Sequence, residues 1–246
     1  MKAMRTLLRL LPLLVIALAA QAAPKLHLAG DSTMANKDRK KPNPEYGWGE
    51  VLPRLLKEPG MVVNHAQNGR SSLSFINEGR WQKLVDQLQP GDWVIVQFGH
   101  NDQKPGADRH TKPREGYMDN LRRFIFDVRE KGAHPVLATP VVRRKWSPDG
   151  QLLDTHGDYP EAVRIVADRE QVPLLELNRL TAALEQSMGV EGSKRLHLWI
   201  EPGVYELKKD GWKDDTHYSE FGAEQVAALA AQEIRRLQLP LADWLK

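Results

Sequence analysis

The chain has 246 residues, no cysteine and a formal charge of +3 from 35 Lys+Arg against 32 Asp+Glu. That length suits one sizeable core, and the missing cysteines exclude disulfides, thiol nucleophiles and thiolate metal sites. Three of the positive charges, Lys2, Arg5 and Arg9, precede the apolar run Leu10 to Ala20. Without them the balance is zero, which removes the electrostatic argument for nucleic acid or a membrane surface as partner.

Residues 1–22 read as a signal peptide. The apolar run is about a dozen residues, shorter than the ~20 a bilayer span needs, and Ala20-Gln21-Ala22 supplies a small-x-small cleavage site. Removal of this leader and export to the periplasm or medium are expected, with no membrane contact afterwards; a retained anchor is the other reading. Residues 24–246 contain no repeat and no linker-like tract, so they are expected to form one domain.

Within that domain short strands alternate with helical stretches. The first strand is Lys25-Leu26-His27-Leu28-Ala29, broken at Gly30. Residues 47–57 carry Trp48, Val51, Leu52, Leu55 and Leu56 at helical spacing and stop at Pro59-Gly60. Residues 61–65 read as a second strand, and the continuous apolar run at 93–98 suits a central parallel strand buried on both faces. Residues 135–138 and 173–177 are two further strands. Helices are expected over 117–131, 161–171, 180–188 and 221–237. This βαβ rhythm predicts a doubly wound α/β sheet.

Such sheets bind ligands beyond the carboxyl ends of their strands. The first strand delivers Asp31-Ser32-Thr33 there. These residues suit three roles: a nucleophile at Ser32, a helix cap, or a phosphate cradle like that of a flavodoxin-like binding module. Asn68-Gly69 follows the second strand and Gly99-His100-Asn101-Asp102 the third. A glycine in a turn frees a backbone N–H, and a side-chain amide beside a serine stabilises developing negative charge. Each also reads as plain loop chemistry. Near the other end Asp214-Asp215-Thr216-His217 precedes the last helix. One helical turn would set the Asp214 carboxylate under the His217 imidazole, although a polar loop with a cap has the same composition. No His-Glu-x-x-His, Gly-x-Ser-x-Gly or complete Gly-x-Gly-x-x-Gly motif occurs.

In this order the four blocks Gly30-Asp31-Ser32-Thr33, Asn68-Gly69-Arg70-Ser71, Gly99-His100-Asn101-Asp102 and Asp214-Asp215-Thr216-His217 resemble the SGNH (GDSL-like) hydrolases. More narrowly, Gly30-Asp31-Ser32-Thr33-Met34, Gly79-Arg80-Trp81, Gln97-Phe98-Gly99-His100-Asn101-Asp102 and Thr139-Pro140-Val141-Val142-Arg143-Arg144 are similar to the rhamnogalacturonan acetylesterases. The resemblance implies a three-layer α/β/α, flavodoxin-like fold with five parallel strands. It implies Ser32 as nucleophile, His217 as general base and Asp214 as its orienting acid, with Ser32, Gly69 and Asn101 forming the oxyanion hole. No metal or organic cofactor is needed. The implied substrate is an acetylated pectic polysaccharide or oligosaccharide; a GDSL lipase, lysophospholipase or thioesterase is the rival within hydrolysis. His100, Arg143 and His156 are candidates to touch substrate, set against the plainer readings of loop histidines and a solvated Arg143-Arg144 pair. Oligomeric state is left open.

Overall fold

Alternation of side chains along each strand sorts the core into two halves, one on either face of a parallel sheet. The computed structural model describes residues 23–246; the expected leader at 1–22 lies outside them. β1 (Leu26–Gly30) sends Leu26 and Leu28 to one face and Ala29 to the other. A short helix α1 (Trp48–Val51) and β2 (Val62–Asn64) follow, then α2 (Ser72–Asn77), α3 (Arg80–Val85) and β3 (Trp93–Gln97). β3 is buried throughout and splits Trp93 and Ile95 from Val94 and Val96. The chain continues through α4 (Met118–Glu130), β4 (His134–Ala138), α5 (Tyr159–Arg169), β5 (Leu174–Leu175) and α6 (Leu177–Gly192).

The five strands pair in the order β2-β1-β3-β4-β5, all parallel. The order reverses at β1, and there the carboxyl ends of β1 and β3 lie side by side, with Gly30 level with Gln97. That switch point is where open α/β sheets bind ligands. The Leu28 face packs on Trp48, Leu52, Leu177 and the alanine-rich side of α7 (Glu220–Arg236); the Ala29 face packs on Phe75, Trp81, Phe124 and Val163. This is the expected three-layer α/β/α arrangement.

Several elements differ from the sequence expectation. The helix expected over 47–57 is one turn of α-helix followed by a 3₁₀ turn at Leu52–Leu55, because Pro53 supplies no N–H to continue the α ladder. α2 and α3 were not expected; α2 starts on a reciprocal cap between Ser71 and Ser74 and α3 on a left-handed Gly79. Between α6 and α7 lies a two-stranded antiparallel ribbon of β6 (His197–Ile200) and β7 (Trp212–Tyr218); the polar sequence of β7 carries no strand signal.

Candidate active site

Ser32 stands on the turn that leaves β1. The N–H groups of Met34 and Ala35 donate to the Asp31 carbonyl, and the Asp31 carboxylate accepts from the Thr33 N–H (2.9 Å) and hydroxyl (2.8 Å). Gln97 donates to the Thr33 hydroxyl at 2.8 Å and accepts from the Trp48 indole at 2.9 Å, so β3 and α1 brace the same turn. Asp31 and Thr33 thus act as local caps, while Ser32 remains 8% exposed. Gly30 is required by crowding rather than by a special φ: a Cβ there would sit 2.8 Å from both the Gln97 carbonyl oxygen and the Met34 sulfur.

His217 reaches this turn from the ribbon. Leu198 pairs with Asp214, but the preceding residue His197 pairs with Tyr218, so Asp215, Thr216 and His217 bulge out of the ladder. Asp214 holds the bulge: one carboxylate oxygen accepts the N–H groups of Thr216 (2.8 Å) and His217 (2.9 Å), and the other meets His217 Nδ1 at 2.8 Å. His217 Nε2 then lies 2.9 Å from Ser32 Oγ. The three-residue spacing therefore works through a side-chain-capped bulge and not through the helical turn expected from sequence; the final helix begins later, capped by Ser219. Burial pushes the Asp214 carboxyl up, yet the His217 ring and the two N–H groups outweigh it and hold Asp214 well below the usual carboxylate range.

Two loops complete the cleft. Gly69 adopts φ +77° in the turn after β2, a conformation open to glycine. Among the described residues neither its N–H nor that of Ser32 has a hydrogen-bond partner. Asn101 donates one amide hydrogen to the Arg70 carbonyl at 3.0 Å, which fixes its side chain against that same turn and leaves the second hydrogen unengaged. The loop carrying Asn101 is anchored by the fully buried Asp102, which accepts from the Ser72 hydroxyl (2.5 Å) and N–H, the Thr111 hydroxyl (3.0 Å) and the Gly99 N–H (3.1 Å). Burial pushes Asp102 up to about 7, against those hydrogen bonds.

Sequence reasoning missed Lys37 and Glu45. The buried Lys37 ammonium donates to the Ser32 carbonyl at 2.5 Å and to Asn68 Oδ1 at 2.9 Å, and pairs with Glu45 Oε1 at 2.5 Å. One cation thereby ties the serine turn to the Gly69 turn. The same Glu45 oxygen is 3.9 Å from His217 Nε2.

The three residues expected near substrate are brought together, but deeper than expected. His100 and His156 are each 2% exposed and pack edge to face with ring centroids 4.5 Å apart. Burial holds His156 down to about 3 and His100 well below the ordinary imidazole range. Together they form a buried wall, and His100 Nδ1 is 3.5 Å from Asp31. Arg143, partly exposed, ties that wall by donating to the His100 and Thr155 carbonyls. Arg144 is buried, not solvated, and pairs with Asp215 at 2.9 Å.

The class is that of a parallel α/β sheet whose switch point carries a hydroxyl, an imidazole and a carboxylate in one hydrogen-bonded line. Residues 28–225 match the GDSL-like Lipase/Acylhydrolase family. Rhamnogalacturonan acetylesterase RhgT of Bacillus subtilis is 42% identical over 221 residues, covering 90% of this chain and 94% of the relative. A rhamnogalacturonan acetylesterase of Emericella nidulans is 26% identical, covering 71% of this chain and 75% of that one. Among solved structures, the YxiM protein of Bacillus subtilis superposes with a TM-score of 0.74 at 27% identity, over 88% of this chain and 57% of the longer YxiM chain. The acetylxylan esterase Axe2 of Geobacillus stearothermophilus shares the fold, with a TM-score of 0.62 at 19% identity over 86% of this chain and 94% of its own. The chain belongs to the GDSL-like lipase/acylhydrolase family.

Proposed function

We propose that this family member is an exported carbohydrate O-acetylesterase that deacetylates a rhamnogalacturonan-type polysaccharide through an acyl-enzyme on Ser32. The observation that carries the reading is the unbroken line Asp214–His217–Ser32, with contacts of 2.8 and 2.9 Å. The names of its relatives supply the substrate class.

In this reading His217 Nε2 takes the Ser32 proton as Oγ attacks the acetyl carbonyl, and Asp214 stabilises the imidazolium through Nδ1. The oxyanion receives the Ser32 and Gly69 N–H groups and the free Asn101 amide hydrogen, each such donor worth roughly 3 kcal/mol of transition-state stabilisation. The intermediate collapses as the bond from the acetyl carbon to the sugar oxygen breaks and His217 gives its proton to that oxygen, so the sugar leaves as a free hydroxyl and the acetyl stays on Ser32. Water, deprotonated by His217, then releases acetate and restores Ser32. The decisive experiment measures acetate release from acetylated rhamnogalacturonan, acetylated xylan and long-chain esters. Preference for the first, abolished in a folded Ser32→Ala variant, supports the proposal; equal rates on long acyl chains, or turnover retained by Ser32→Ala, refute it.

A further inference from the structure

An acetyl group is small and common to many esters, so discrimination among polysaccharides must come from contacts to the sugars around it. The ribbon that carries His217 supplies such a surface. Along β7 the side chains alternate: Lys213 and Asp215 point to the face of Trp199, whose ring lies 5.6 Å from the Lys213 ammonium and whose indole donates to Asp215, whereas Trp212 shares the Asp214 side. Trp212 there lines a cavity of about 310 Å³ together with Tyr205, Lys208, Lys41, Pro42 and Glu45. Through Glu45, whose carboxylate lies 3.9 Å from His217 Nε2, this cavity adjoins the proton relay.

Its chemistry is that of an acidic carbohydrate site. Tyr205 and Trp212 lie nearly parallel, 25° apart with centroids separated by 6.2 Å, and the Tyr205 hydroxyl is tied to the Pro42 carbonyl. An aromatic face of this kind takes the C–H side of a pyranose ring. The Lys208 ammonium stands 5.2 Å from the Trp212 ring centre, and Lys41 adds a second cation. Of the two acids in the wall, Glu45 is already paired with Lys37, leaving Asp38 against two lysines.

We propose that this cavity is a subsite for a uronate residue adjacent to the acetylated sugar, with Trp212 stacking on its ring and Lys41 and Lys208 meeting its carboxylate. The proposal rests on the polysaccharide reading above and is tested apart from turnover. Wild-type protein is titrated calorimetrically with an unacetylated rhamnogalacturonan oligosaccharide and with a neutral galactan oligosaccharide of equal length. The acidic oligomer is expected to bind about tenfold more tightly, the margin that two exposed charge contacts supply. Lys41→Met/Lys208→Met should erase that margin, as should high salt. Trp212→Ala should weaken both ligands about tenfold, and Trp212→Phe should recover most of the loss. Equal binding of the two oligomers, no detectable binding of the acidic one, or a preference that survives the double substitution overturns the subsite. Failure of the polysaccharide reading would be seen separately, as wild-type acetate release no faster from acetylated rhamnogalacturonan than from acetylated xylan.

Discussion

Replacing Lys37 by Met tests whether the buried ammonium organises the cleft or merely fills it. Met keeps the stem and removes the charge, so the Ser32 carbonyl and Asn68 lose a donor and Glu45 loses its counter-ion. Breaking a buried ion pair on one side costs about 3–5 kcal/mol; Glu45 retains some access to water, which places the loss near the lower end. In a chain of this size each kcal/mol moves Tm by roughly 2–4 °C, so melting should fall by about 6–12 °C. Freed of Lys37, the serine turn and the Gly69 turn can drift, and misplacement on the 1 Å scale lowers kcat by up to about 100-fold with little change in KM. A purely structural lysine would not move the pH profile, and this one should. Unmasked Glu45 stands 3.9 Å from His217 Nε2, where two unit charges interact by about 1 kcal/mol in water and about 4 kcal/mol at a surface-like effective dielectric. Carboxylate charge favours imidazolium, whereas catalysis needs the neutral ring. The acid limb of kcat/KM should therefore move to higher pH. Lys37→Met/Glu45→Gln should return the limb to its wild-type position while kcat stays low. Steady-state kinetics from pH 4 to 9 with melting curves decide the matter; an unshifted limb, or a shift that persists in the double variant, refutes the reasoning.

Asn101→Ala should lower kcat by roughly 100- to 1,000-fold with little effect on KM, because in the proposed mechanism its free amide hydrogen serves the transition state; a KM effect alone would make it a binding residue. Asp214→Asn should reduce kcat/KM at least about tenfold, whereas Asp215→Asn, which loosens Arg144 and Trp199, should lower Tm by a few degrees and spare turnover. Equal kinetic losses at the two positions would contradict the bulge geometry. Asp102 offers a pH test of stability. Its folded-state pKa of about 7 lies above the ordinary unfolded value near 3.9, so the folded chain binds the extra proton and this contribution is lost as pH rises from about 4 to 7. Asp102→Asn should flatten that dependence in denaturant titrations and lower kcat through the Asn101 loop; an unchanged slope would place the proton elsewhere.

The legible parts of the fold were those whose side chains meet apolar neighbours. Residues 93–98 announce a buried central strand because Trp93, Val94, Ile95 and Val96 face both layers, and β1 and β4 follow the same logic. β5 shrinks to Leu174–Leu175 because only Leu137 and Ala138 pair with it. β7 was illegible: Trp-Lys-Asp-Asp-Thr-His-Tyr has no apolar alternation, and its strand state is imposed by pairing with β6 and by the backbone bond from Tyr46 to Tyr218.

The line Asp214–His217–Ser32 was more legible than the scaffold behind it, for a reason of chemistry rather than of chance. Ser32, Asp214 and His217 are reactive types placed after strand or before helix signals, so topology alone brings their blocks to one edge. Lys37 lies in Lys37-Asp38-Arg39-Lys40-Lys41, a composition that reads as solvated surface, and Glu45 is one acid in a proline-rich loop. Nothing local distinguishes Lys37 from Lys40 or Lys41, which remain exposed. What selects it is a set of acceptors from three separate segments, the Ser32 carbonyl, Asn68 and Glu45, converging on one point under the serine turn. A buried ammonium has three hydrogens to place, and here all three fall on groups that shape the cleft. The cost of desolvating a lysine at that point is met because the partners are already held by the turns that carry the chemistry.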